Sequence, residues 1–327
     1  MSPSIGIVGA GDIVRKMHLP VLQAMGLRIA WLHDAAELRA RAVGDAYQVP
    51  VALGQDPDEL PACDVVLLAV PVPARAAYLE SFARRGMAVF CEKPFALSAD
   101  EHRRYLGLFE PHRLGCGYMR RFYGSTRIVE NLLRHGWLGA LQAIRVGEGG
   151  RSRGSGSGSS FLDDPRFAAA GGVLMDLGTH TLDLALQFAG EGEFAVERSA
   201  LTLDGNVDRH AEARVRLARG ITLDYAVSWL APQPNRILLE FASASAWMNI
   251  GPDAPVYLGD PARPREALEI SAVPATEAGA TTPNQAFALE WREFLGGLEA
   301  RRESRVSARA ALATTALAEG IRRAGHA

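Results

Sequence analysis

Short apolar runs and helical stretches alternate through the first third of the chain. Ile5-Gly6-Ile7-Val8, Arg28 to Leu32, Asp64 to Val70, Met87 to Cys91 and His112 to Gly117 each read as a strand. Being apolar on both sides of the pleat, they suit a sheet covered on both faces. Between them, helical patterns run from Ile13 to about Met25, from about Ala36, and from about Ala74 to Arg85, where Gly86 ends the last. This alternation predicts a parallel, doubly wound sheet.

A different pattern follows. A helix is expected from Ser125 to His135, stopped by Gly136, then apolar–polar alternation from Ala140 to Val146. The Gly/Ser/Arg-rich stretch from Gly149 to Ser160 reads as a loop, either a lid or a disordered excursion. Strands in succession are expected at Ser199 to Leu203, Ala211 to Leu217, Thr222 to Trp229, Arg236 to Ala242 and Ala246 to Ile250. Without intervening helices they predict a mostly antiparallel sheet. Tyr225, Trp229 and Trp247 lie in them, as core aromatics or as part of a face between subunits. Helices near Asn284 to Leu298 and Ser307 to Arg323 close the chain. The fold class is α/β, a Rossmann domain over residues 1–120 and an α+β domain with an open antiparallel sheet over 121–327.

Composition narrows the function. The 327 residues carry a formal net charge of −2, which gives no electrostatic case for nucleic acid or an anionic membrane. Cys63, Cys91 and Cys116 are scattered among apolar runs and read as core residues of a reducing compartment. No apolar run approaches a membrane span, and the N-terminus enters a strand without a signal segment, so a cytoplasmic location is expected.

The chemistry gathers where strands end. Gly9-Ala10-Gly11-Asp12-Ile13 follows the first strand and opens a helix. Gly9 suits the tight turn, and Gly11 lets backbone approach a pyrophosphate at the helix N-terminus. The third small position holds Val14, a departure from the motif. Asp34 ends the second strand, where a carboxylate can accept from both ribose hydroxyls and repel a 2′-phosphate. NAD is therefore expected, while His33, Arg39 and Arg41 leave NADP open; capping of the next helix is the second reading of Asp34, behind the ribose role. Val70-Pro71 and Glu92-Lys93-Pro94 follow two further strands, on the same edge of the sheet.

In the second domain Asp176, His180 and Asp183 share one face of an otherwise apolar helix. Three readings fit: a satisfied hydrogen-bond network, a metal site that no further His or Cys cluster completes, or acid–base catalysis. Arg151, Arg153 and Arg166 suit a solvated basic loop or contacts to an anionic substrate.

The chain resembles the glucose–fructose oxidoreductase, inositol dehydrogenase and rhizopine-catabolism (Gfo/Idh/MocA) oxidoreductases. The resemblance rests on Gly9-Ala10-Gly11 with His18-Leu19-Pro20, on Glu92-Lys93-Pro94, and on the segment from Gly171-Gly172 to Asp183. It implies NAD(P)-dependent hydride transfer to or from a sugar, cyclitol or sugar nucleotide, in a homodimer or homotetramer. By the same resemblance Lys93 contacts the reacting oxygen and the cofactor region, and Asp176 and His180 bind substrate and move its proton. Arg120 and Arg121 match arginines near the site entrance, which makes Arg121 a substrate-binding candidate, and the Lys93–Pro94 bond is expected to be cis. Val72 and Arg75 stand where relatives often carry Asn and His. An NAD-dependent glycoside hydrolase or lyase, and a non-catalytic dinucleotide sensor, are the alternatives on this scaffold.

Overall fold

A computed structural model describes residues 3–150, 172–190, 192–270 and 279–326. Residues 151–160 of the expected loop lie outside that range, as do Arg151, Arg153, Arg166 and Gly171. The chain divides into two compact units, one of residues 1–118 with 283–312, the other of 119–282 with 313–327.

The first unit is built on five parallel strands: β1 (Ser4–Val8), β2 (Arg28–His33), β3 (Val65–Leu68), β4 (Ala88–Glu92) and β5 (Leu114–Gly117), in the order β2-β1-β3-β4-β5. Val51 makes one parallel bridge to Leu32 beyond β2, a remnant of the strand that would complete a dinucleotide-binding order. The order reverses between β1 and β3. That is where open α/β sheets leave a crevice at their carboxyl edge. The helix after β1 begins as a π turn, Val14–His18, and continues as α1 (Leu19–Ala24). It is followed by α2 (Glu37–Tyr47), α3 (Arg75–Arg84) and α4 (Ala99–Leu106). Val14, standing where the motif has a third small residue, is fully buried.

The domain boundary differs from the expected one. Helix Pro283–Glu299 falls in sequence within residues 121–327, yet it belongs to the first unit. Its Trp291 and Phe294 are fully buried with Phe90 of β4, at ring-centroid distances of 4.6 and 5.2 Å. Burial of two large aromatics outweighs position along the chain.

The second unit carries α5 (Gly124–His135), β6 (Leu141–Gly149), then a π turn (Leu174–Gly178) running into α6 (Thr179–Ala189). Its sheet is completed by β7 (Ala195–Asp204), β8 (Val207–Arg216), β9 (Thr222–Ser228), β10 (Arg236–Phe241), β11 (Ser245–Asn249), β12 (Val256–Leu258) and β13 (Leu268–Ile270). The order is β13-β12-β11-β10-β6-β9-β8-β7, antiparallel except for the parallel pair β6–β9. One face is apolar, with Ala211, Ala213, Val215, Leu223, Tyr225 and Val227 buried in alternation. The other carries ion pairs such as Arg214–Asp224, Arg216–Glu197 and Arg145–Glu240. Tyr225, Trp229 and Trp247 are buried within the chain itself, so they are core aromatics and not an uncovered subunit face.

In the first unit His102 is wholly buried, packed on Phe95 with ring centroids 4.3 Å apart and planes tilted by 37°, and bonded through Nε2 to Ala308 O at 2.8 Å. Burial pushes the imidazole down to about 4 from 6.5. The unfolded chain therefore takes up the proton first as pH falls. The stability this group supplies is complete above pH 6.5 and declines through the window down to about pH 4. The total loss is about 3 kcal/mol. Denaturant unfolding across that window is expected to show a shallower decline for His102→Gln than for the unaltered chain, since the amide keeps a donor without taking a charge.

Candidate active site

At the edge of the first sheet, Gly9 leaves β1 with φ +104°, and a Cβ there would stand 2.5 Å from Ala69 O. Only glycine fits. A Cβ on Gly11, by contrast, would meet nothing within 4 Å, so backbone is bared to open space at the start of the helix. Asp34 braces this turn: Oδ2 accepts from Ala10 N and Oδ1 from Ala36 N, both at 2.8 Å. It thus steadies the start of the next helix and the glycine turn together; Oδ1 also faces Arg39 Nε at 3.5 Å, while Oδ2 keeps a lone pair for a further donor. Asp12 directs its carboxylate to Arg15 and Lys16, at 2.8 and 2.6 Å. Ile13 is partly exposed beside it, and Val70 and Pro71 are half-buried after β3. This set fits a dinucleotide: a pyrophosphate at the glycine turn and a ribose at Asp34.

Lys93 follows β4, half-buried, and the Lys93–Pro94 bond is cis. Glu92 is fixed beneath it. His18 Nε2 lies 2.7 Å from Glu92 Oε1, and Trp291 Nε1 donates to His18 Nδ1 at 3.0 Å. An indole N–H can only donate, so Nδ1 accepts and the ring proton sits on Nε2, facing the carboxylate. Burial pushes the Glu92 carboxyl up, but the His18 hydrogen bond and the nearby Lys93 and Arg75 charges outweigh it, holding the group below the usual range. On the other side Arg75, buried, donates to the carbonyls of Val70, Pro94 and Phe95.

In the second unit, the face expected to carry three polar groups is rebuilt by a π turn. Such a turn holds more backbone per revolution than an α turn, and π segments recur at functional sites. Asp176 lies within it, half-buried, and His180 just beyond it, 7% exposed. Asp208 accepts from Leu174 N at 2.8 Å, which caps the helix start, and a Cβ on Gly172 would fall 1.8 Å from that carboxylate. A Cβ on Gly178 would stand 2.4 Å from the Tyr225 hydroxyl, to which Thr181 Oγ1 donates at 3.5 Å. Desolvation pushes the Tyr225 phenol up, so it stays a neutral hydroxyl.

Asp183 does not join this face. It accepts from Arg121 Nε and Nη2 at 2.7 and 2.5 Å and from Thr314 Oγ1 at 3.1 Å, all within buried surroundings. The same pairing commits Nε and Nη2 of the Arg121 guanidinium, proposed from the sequence as a substrate contact, to a buried carboxylate. Arg120 likewise makes a two-pronged pair with Glu148, at 2.9 and 2.8 Å. Sequence reasoning missed Arg75, Trp291 and Asp208. Only Arg75 left a signal, as a departure from the motif in relatives.

A parallel sheet with a glycine turn, a carboxylate after β2 and a lysine after β4 defines a dinucleotide-dependent oxidoreductase scaffold. Residues 4–118 match the family model of NAD-binding Rossmann-fold oxidoreductases, and residues 126–246 match the GFO/IDH/MocA C-terminal domain. The chain belongs to the Gfo/Idh/MocA family. It is 26% identical over 205 residues to inositol 2-dehydrogenase of Rhizobium meliloti (strain 1021), covering 62% of this chain and 60% of that one. It is also 26% identical to a dTDP-3,4-didehydro-2,6-dideoxy-alpha-D-glucose 3-reductase of Streptomyces violaceoruber, covering 98% and 95%. Among solved structures, a 3-ketoreductase from Actinomadura kijaniata in complex with TDP-benzene and NADP has a TM-score of 0.83 at 18% identity, covering 99% and 98%. An aldose-aldose oxidoreductase from Caulobacter crescentus has a TM-score of 0.83 at 20% identity, covering 100% and 98%. These likenesses concern the fold.

Gly9→Ala places a methyl against the Ala69 carbonyl in a backbone region L-residues avoid. It is expected to weaken NADH binding at least tenfold in a fluorescence titration, with circular dichroism still showing a folded chain.

Proposed function

We propose that this protein transfers a hydride between a nicotinamide dinucleotide and a hydroxyl or keto carbon of a sugar, cyclitol or sugar nucleotide. The observation that carries the reading is the Lys93 corner: a lysine at the carboxyl edge of a sheet whose flanking residues, Glu92 on one side and Pro94 and Phe95 on the other, are held by hydrogen bonds from His18 and Arg75. The choice of cation supports it. Of 35 basic residues only two are lysines, Lys16 and Lys93. A chain that otherwise uses arginine keeps at this corner a compact point charge on a flexible stem.

Gly9, Gly11, the main chain of Asp12 and Ile13, and Asp34 would hold the dinucleotide, with Val70, Pro71 and Glu92 along its edge. When bound, its nicotinamide supplies the hydride acceptor or donor. In the oxidative direction Lys93 stabilises the substrate oxygen as negative charge grows on it. His180 takes the hydroxyl proton on an imidazole nitrogen, imidazole being the side chain most often used for general acid–base catalysis. Asp176 accepts hydrogen bonds from neighbouring hydroxyls and orients the substrate. The lone pair left on Asp34 Oδ2 suits a ribose hydroxyl, and its negative charge, though partly offset by Arg39, opposes a 2′-phosphate, which favours NAD.

Titration with NADH and NADPH is expected to show NADH bound at least tenfold more tightly. A panel of polyols, aldoses and sugar nucleotides with the preferred cofactor then identifies the substrate. On that substrate His180→Ala is expected to lower kcat about a hundredfold or more with NADH affinity unchanged. Unaltered kcat would remove His180 from the reaction, and turnover retained by Lys93→Met would remove the corner.

A further inference from the structure

Three carbonyl groups at the functional edge share one donor. Arg75 opens α3 and is only 2% exposed. Nε donates to Val70 O at 2.9 Å, and Nη1 donates to Phe95 O at 3.1 Å and to Pro94 O. Val70 belongs to the turn after β3, one of the segments assigned to the cofactor. Pro94 and Phe95 are the two residues directly after Lys93. A guanidinium offers several donors in one rigid plane, so a single side chain can satisfy carbonyls arriving from two strand ends at fixed angles. Its charge also reaches the Glu92 carboxylate on the near side of Lys93.

We infer that Arg75 is a positioning residue for Lys93, tying the cofactor turn after β3 to the backbone that aims the ammonium. This rests on the hydride-transfer reading above for its functional meaning, though not for its structural content. Buried carbonyls require donors. A lysine at 75 could reach some of these oxygens but could not hold all three in one plane, so a folded protein with a slack corner is the expected product of Arg75→Lys.

Two measurements test it with Arg75→Lys. On the substrate identified by the panel, R75K is expected to lower kcat tenfold or more, by a larger factor than it lowers NADH affinity. In a K93M background the same change is expected to alter the residual kcat less than twofold, because its effect passes through Lys93. Equal losses in both backgrounds would show that Arg75 acts elsewhere. The second measurement needs no substrate. Reductive ¹³C-methylation of a K16R protein leaves Lys93 as the one labelled lysine, and K16R/R75K/K93M identifies the signal from position 75. In K16R/R75K the Lys93 resonance is expected to shift or broaden, and its response to added NAD to shrink. An unchanged resonance with an unchanged NAD response overturns the inference. A panel with no turnover, or an active K93M, defeats the hydride reading and leaves the resonance to decide the role of Arg75.

Discussion

The carboxyl edge of a parallel sheet is where main-chain polar groups run out of partners, and this structure depends on how they are supplied. Strand ladders satisfy carbonyls up to the last paired residue. Beyond it each buried oxygen must find a donor or lose its hydration uncompensated. Here the donors come from buried side chains on neighbouring elements. Arg75 serves the turns after β3 and β4, and His18 reaches Glu92 with Trp291 fixing its tautomer. On the acceptor side, Asp34 takes the amides of Ala10 and Ala36. Meeting this requirement makes the edge stiff. A stiff edge is what placing a charge against a reacting atom demands, since misplacement by about 1 Å can cost a hundredfold in rate.

The second unit solves a related problem with ion pairs. Arg121–Asp183 and Arg120–Glu148 are both buried and both two-pronged, the geometry that a guanidinium and a carboxylate share. Pairs of this kind add little net stability beside apolar packing, but removing one partner strands a charge, commonly at about 3–5 kcal/mol. Their effect is to fix arrangement. Asp183 pins the middle of α6 to Arg121 and Thr314, and Asp208 holds the start of the π turn that leads into it. The helix is thereby tied at two points, one on each side of His180.

Much of this was legible because it is local. Four or five consecutive apolar residues ending in a glycine turn, an aspartate or Glu-Lys-Pro report a buried parallel strand and its functional end without any long-range information. The parts that were not legible depend on partners distant in sequence. Nothing near Trp291 says that it will meet His18, 273 positions away. An arginine destined for a buried carboxylate reads the same as one destined for a substrate, so Arg121 resembled a ligand contact. The parallel pairing of β6 with β9 is hidden because β7 and β8 intervene and suggest simple antiparallel succession. Strands β12 and β13 are three residues each, too short for a period-two signal. The π turns at Val14–His18 and Leu174–Gly178 leave no trace in apolar spacing, yet they lead into His18 and His180.

Arg75 and Lys93 show why residue identity matters at this edge as much as charge. Position 75 must satisfy three oxygens whose directions are set by two different strand ends, and a planar fork with its charge delocalised loses little freedom in doing so. On the proposed hydride transfer, position 93 has the opposite requirement. A charge that follows an oxygen through a change of hybridisation has to move over a short distance, and a four-carbon stem bearing three equivalent donors permits that where a rigid fork does not. Exchanging the two side chains would conserve charge, burial and net composition, and it would put the mobile cation where rigidity is needed and the rigid one where movement is needed. Arginine holds the frame, and lysine works within it.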